Sequence, residues 1–317
     1  MATTLHERPR SLRSNLGIKR SIGELIFDNL NVIFLLAFAF MTLYPFWYIL
    51  VLSLNEGKDS MQGGVWFWPR KWTLTNYGYV LLNPQVLTAY RTTILRTLSG
   101  SVLSLLVCGF AAYALTKHRL PGRSLIITIF MIPMFIGGTV VSYYVLIAKL
   151  GMLNTFWVYI IPGCFNFFLT IIVRTYMYTI PPSLEESAKM DGASYFTIFF
   201  RIVTPLCMPI VATVFLFSAV GHWLDLYSNL IYTASNKAIM TLQYLLYLLI
   251  LAKESSLNTL TEHPPIQGGA FTSRAEQVTP QAVKTAVIMV VTLPILFVYP
   301  FLQKYFVQGV LIGSVKE

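Results

Sequence analysis

Six apolar runs without a formal charge, at 29–54, 97–116, 125–148, 156–173, 205–224 and 285–303, constrain this chain more than any other feature. Each is about as long as a bilayer crossing requires, which is roughly 20 helical residues. In hydrocarbon a spanning segment must satisfy its own backbone hydrogen bonds, so runs of this kind predict helices. With 56% hydrophobic and only 11% charged residues, the chain is far from the balance of an ordinary water-soluble domain. The expected fold is an all-α polytopic membrane protein with six transmembrane helices.

The formal charge of +10 would suit a nucleic acid, but the basic residues stand beside apolar runs, where they set membrane orientation. Arg8, Arg10, Arg13, Lys19 and Arg20 precede the first run. That run is too long for a signal-peptide core and no small-residue cleavage site ends it, so it reads as an uncleaved span with its amino end in the cytoplasm. Six crossings then place both termini inside. Lys117, His118, Arg119 and Arg123 fall in an inner loop, and the outer loop 150–155 has no basic residue. The resulting plan is a cytoplasmic segment 1–28, a membrane domain 29–306 and a cytoplasmic tail 307–317. Within the membrane domain, 181–204 is an inner loop, and 55–96 and 232–281 are outer loops.

Two outer segments carry more than a connection needs. The first holds Trp66, Phe67, Trp68, Trp72, Tyr77 and Tyr79, which read either as an interfacial aromatic belt or as a surface for an external partner. In the second, a helix is expected over 239–253, followed by a Gly/Pro/Ser/Thr-rich stretch that reads as a lid or as a partner contact.

The inner stretch 183–209 is a polar island between apolar runs, built as two short helices with a hinge. Ser183 is spaced for N-capping with Glu186 three residues on. Glu185 and Lys189 sit i,i+4 in the favourable order, on a solvated face. Asp191-Gly192 stops the first helix, since glycine takes the left-handed cap conformation cheaply. Ser194 starts a second helix running to Val203, and Thr204-Pro205 breaks the chain before the next run. A short, capped polar helix between spans is a docking element.

Catalytic signatures are missing from the sequence. It has no phosphate-binding G-x-x-x-x-G-K-[ST] loop, no H-E-x-x-H, no G-x-S-x-G and no Cys-x-x-Cys. His6, His118, His222 and His263 lack zinc-ligand spacing, and Cys108, Cys164 and Cys207 lie in or beside runs as packing residues. An enzyme is not expected, nor a bound cofactor or metal. The halves show no evident repeat, and the runs carry almost no charge. Both features weigh against the alternative class, an ion-coupled secondary transporter.

The sequence Glu186-Ser187-Ala188-x-x-Asp191-Gly192-Ala193, with Pro205 and Pro209 after it, resembles the E-A-A-x-x-D-G-A…P signature of binding-protein-dependent ABC importer permeases. The similarity extends over almost the whole chain. It is closest to the carbohydrate branch, the relatives of the maltose importer's smaller permease, and there to the subgroup serving polysaccharide-derived oligosaccharides. Tyr44-Pro45-Phe46, Trp68-Pro69, Thr75-Asn76-Tyr77, Leu120-Pro121-Gly122-Arg123, Gly137-Gly138 and the ending from Tyr299 to Lys316 carry that likeness. Ser187 stands where the family has alanine and is still small. Leu224 follows Trp223 where relatives often carry asparagine.

The resemblance implies the type I importer permease fold and a complex. Its members would be a second, homologous permease, two cytoplasmic ATPase subunits that use ATP, and an external solute-binding protein, all in a lipid membrane without nucleic acid. It also implies that the island is the coupling helix, with Glu185, Glu186, Ser187, Ala188, Asp191, Gly192 and Ala193 at the ATPase. Glu186 reads equally as a local cap or as a salt link to that subunit. Trp223, Asp225 and Tyr227 are the candidates for the translocation path. An aromatic face and an acceptor suit a sugar there; the other reading puts Asp225 near the outer interface, solvated or tied to a neighbouring loop. Helical spacing would let Trp223 and Tyr227 share one face, with Asp225 about 200° away from Trp223.

Overall fold

A computed structural model describes residues 22–136, 138–251 and 278–314, so the basic cluster of 1–20, the stretch 252–277 and the last residues of the tail lie outside it. Among the described residues the chain is helical and has no strand, with one isolated antiparallel bridge between Asn55 and Trp72. The chain divides into two units, one ending at Tyr48 and one beginning at Ile49.

The first unit is built on helix α1 (Ile22–Ser53), which continues into the second. It presents apolar side chains all round, including Phe34, Phe38 and Met41, as a lipid-embedded helix does. Phe40, Tyr44 and Tyr48 form a ladder at i,i+4 spacing, with ring centroids 5.7 and 6.2 Å apart.

In the second unit the expected outer loop 55–96 is largely helical. Short helices α2 (Gly57–Met61) and α3 (Thr75–Leu81) precede α4 (Pro84–Thr116), which at about 1.5 Å per residue is some 50 Å long. Asn83 caps α4 by accepting from the Gln85 amide at 2.9 Å, and Pro84 sits at the first position, where a missing N–H costs nothing. A polar knot holds the connection before it. Asn55 Nδ2 donates to Asp59 at 2.9 Å, Arg70 Nε donates to the same oxygen at 3.0 Å, and Asn76 Nδ2 donates to the carbonyls of Ser53 and Asn55. The Asn55 bond, helped by Arg70, holds the Asp59 carboxyl below its ordinary pKa against the effect of burial. Trp66, Trp68 and Trp72 stay exposed around this knot, while Tyr79 is buried.

Two expected spans are broken, and one is not a single helix. The run 125–148 becomes α5 (Arg123–Phe135) and α6 (Val140–Lys149), bent by 119° where the sequence places Gly137-Gly138. Run 156–173 yields one 3-10 turn, Phe156–Tyr159, and then α7 (Phe167–Met177). Pro162-Gly163 stops helix between them, since proline lacks the N–H and glycine is the weakest ordinary helix former. The run 205–224 becomes α11 (Met208–Leu224) after a bend of 88° at Cys207. After it, α12 (Leu242–Leu251) fills part of the expected 239–253 helix, and α13 (Pro280–Ser314) runs through the expected sixth span into the tail. Among the described residues three helices are long and apolar enough to cross a bilayer, and the count rises to five if each bent pair makes one crossing. The expected six therefore do not appear as six continuous helices.

α4 is the centre of the second unit and packs chiefly on α11 and α7. One core joins α3 and the start of α4 to α12 and α13 through Val80, Ala89, Leu242 and Val287. A second joins the end of α4 to α7 and α11 through Cys108, Ala112, Val173 and Val214. α5 fully buries none of its residues: Phe130 packs on Phe165 and Phe167, while Leu125, Ile129 and Phe135 stay exposed.

Candidate translocation cavity and coupling element

A cavity of about 580 Å³ opens between α4, the 158–169 segment and the end of α11. Its polar centre is an ion pair that the sequence reading missed. Arg96 on α4 is buried, its side chain 2% exposed, and it pairs with Asp225, whose side chain is 25% exposed. Both line the cavity, and the carboxylate is the more exposed member. Arg96 Nη2 donates to Asp225 Oδ2 and Nη1 donates to the Asp225 carbonyl at 3.1 Å. The guanidinium also lies 4.5 Å over the Tyr159 ring, a cation–π contact, and its Nε is buried without a partner. Asp225 Oδ1 accepts from the Ser228 amide at 3.2 Å. Tyr159 in turn donates to the Ile239 carbonyl at 2.8 Å.

The chain end of α11 decides which neighbours share this cavity. The helix stops at Leu224 and Asp225 is extended, so Tyr227 does not sit one helical turn above Trp223. Trp223 turns the other way. Its Nε1 donates to the Val291 carbonyl at 3.1 Å, and its ring meets Tyr90 edge-on at 6.1 Å against the first core. Asp225 and Tyr227 line the cavity, together with Tyr143, Tyr159, Asn166 and His222. His222 lies directly over Gly100, where a Cβ would fall 2.4 Å from Nε2. One signal could have exposed Arg96: a carboxylate at the end of one apolar run needs a cation at similar depth, and Arg96 begins another.

The island folds close to its expected limits but is capped differently. Helix α8 (Pro182–Met190) takes extended Pro181 as N-cap with Pro182 at its first position, and no side chain caps it. Ser183 therefore lies inside the first turn, the capping box with Glu186 does not form, and Glu186 stands exposed. The stop is as expected. Gly192 has φ +79°, and the Ala193 amide donates back to the Ala188 carbonyl at 2.9 Å, a Schellman closure. Ser194 then caps α9 (Tyr195–Ile198) by accepting from the Thr197 amide at 3.2 Å. A π-helical turn, Phe199–Val203, and α10 (Thr204–Leu206) follow without interruption. The break falls at Cys207 and not at Thr204-Pro205, because the wider turn accommodates a proline that cannot donate.

Glu185 is not on a solvated face. Lys117, the C-cap residue of α4, donates to its Oε1 at 2.7 Å and also to Oε2, while Lys189 stays 3.9 Å away. Ala188 and Ala193 pack against the second core, and Ser187, Asp191 and Gly192 are exposed.

Several apolar helices of bilayer length, one of them α4 beside a polar, aromatic-walled cavity, fit a polytopic membrane permease. Residues 104–312 match the family described as binding-protein-dependent transport system inner membrane component, and the chain belongs to that family. It is a transport component and not an enzyme. It is 37% identical to Protein LplC of Bacillus subtilis (strain 168) over 295 residues, 92% of this chain and 95% of that one. It is 32% identical to the polygalacturonan/rhamnogalacturonan transport system permease protein YtcP of the same strain, covering 92% and 98%. Among solved structures, a bacterial ABC transporter involved in the import of the acidic polysaccharide alginate matches with a TM-score of 0.81 at 29% identity, covering 91% of this chain and 99% of that one.

Proposed function

We propose that this chain is one of two permease subunits in an ATP-driven importer of sugars or oligosaccharides. It forms half of the path, with a homologous permease as the other half. It crosses the membrane six times with both termini in the cytoplasm, the bent pairs and the 156–177 segment each counting as one crossing. α8 is the coupling helix that seats on a cytoplasmic ATPase subunit, and an external solute-binding protein delivers the solute. Its exposed residues Glu186, Ser187, Asp191 and Gly192 are the ones that face that subunit.

The cavity lining carries the sugar reading. Tyr143, Tyr227 and Tyr232 offer ring faces for the apolar side of a pyranose, and Asp225, Asn166 and Ser228 offer hydroxyl partners. The names of the relatives agree with this choice.

The test is uptake in proteoliposomes holding the whole importer and its binding protein. Tyr227 is 71% exposed, so Tyr227→Ala should leave folding intact. Losing one aromatic stacking contact, about 0.5–1.5 kcal/mol, should raise the uptake KM about two- to tenfold. Unchanged kinetics with intact assembly would remove this cavity from the path and leave the solute to the partner permease.

A further inference from the structure

We propose that Lys117 is a positioning residue for coupling: it ties α8 to the end of α4, and α4 carries the island's movement to the Arg96–Asp225 pair. The inference rests on the reading of α8 as the coupling helix.

Both halves of the island hold the same end of α4. From α8, Glu185 takes the Lys117 ammonium on both carboxylate oxygens, and that ammonium also sits 3.9 Å over the Tyr113 ring. The two side chains are only 25% and 20% exposed, unlike the loose surface pairs that add little. From beyond the Gly192 hinge, Phe199 packs on Phe110 at 4.7 Å and on Tyr113 at 5.4 Å. It lies so close over Gly109 that a Cβ there would meet its ring at 3.3 Å. The island therefore cannot shift without taking the end of α4 with it, or breaking one of these two grips.

From there α4 runs unbroken, its one proline at the first position. Arg96 lies about 30 Å from Lys117 along the axis at about 1.5 Å per residue. Its partner Asp225 belongs to the end of α11, a different helix with its own bend at Cys207. Displacing α4 against α11 thus acts directly on the pair at the polar centre of the cavity. Glu185 faces α4 and not outward, which separates its role from that of exposed Glu186.

The experiment is a double-mutant cycle in the reconstituted importer with its binding protein, reading solute taken up per ATP hydrolysed. A purely structural contact would change the yield of complex but not this ratio. Lys117→Gln and Glu185→Gln should each lower the ratio by about fivefold or more, the low end of ordinary coupling between sites. The doubly neutral variant should be no worse than the poorer single one, because both remove the same link. Lys117→Arg should keep the ratio near wild type. If stranding one charge prevents assembly of a single variant, the doubly neutral protein decides, since it leaves none. A wild-type ratio in that protein, additive losses, or its failure to assemble would each overturn the proposal. Ser187→Trp on the exposed side of α8 is the control. If it leaves stimulated ATP hydrolysis at wild-type level, the coupling-helix reading fails first. If it abolishes stimulation while the doubly neutral protein stays coupled, only the role of Lys117 falls.

Discussion

Arg96 and Gly100 sit one turn apart on α4, and together they fix how closely the end of α11 can approach. Arg96 needs a carboxylate because it is buried, and Gly100 must lack a Cβ because the His222 ring occupies that space. Gly100→Ala should therefore destabilise the complex by the 1–3 kcal/mol typical of overpacking. Gly221→Ala on α11, where a Cβ meets nothing within 4 Å, should instead gain roughly 0.8–1 kcal/mol of helix propensity. Thermal unfolding of the two variants in detergent, with opposite shifts, checks the contrast, and equal shifts would contradict the packing. Neither demand is legible in the sequence, where Gly100 looks like any helical glycine. Asp225 was legible as a candidate for the path or for the outer interface, but its pairing with Arg96 was not.

The island was the most legible element, because stops and caps are local chemistry. Asp191-Gly192 and Ser194 do what their residue types predict. The N-terminus was misread because Pro182 fits the first helical position as well as it forbids a later one, so the helix begins one residue before Ser183. Gly192→Val places a β-branched residue at φ +79°, a strain on the order of 1–2 kcal/mol, with no neighbour in the way. It should insert normally and re-aim α8, and stimulated ATP hydrolysis by the reconstituted complex should fall. Wild-type stimulation would show that the hinge does not set the angle of docking. The run 156–173 differs in another way: its apolar length suggested one continuous helix, which Pro162-Gly163 inside it forbids.

For the whole molecule the first question is orientation, which the basic residues beside the spans argue and which single cysteines can test. Met190 at the end of α8 and Met61 at the end of α2 are 88% and 65% exposed. In a protein freed of its three native cysteines, Met61→Cys should react with a membrane-impermeant thiol reagent in intact cells, and Met190→Cys only after permeabilisation. The reverse pattern would invert the topology. What the sequence determined by itself was the class of the fold, its helical character, the family signature and the hinge. Hydrophobic length, helix stops and short motifs are properties of neighbouring residues, and no distant partner is needed to set them. What the tertiary structure decided was which residues meet: Arg96 with Asp225, Lys117 with Glu185, and Trp223 turned away from the cavity that Tyr227 faces. Those meetings depend on where α11 ends and how α4 packs against it and α7. Both are settled by the fit of many side chains at once, which no local pattern records.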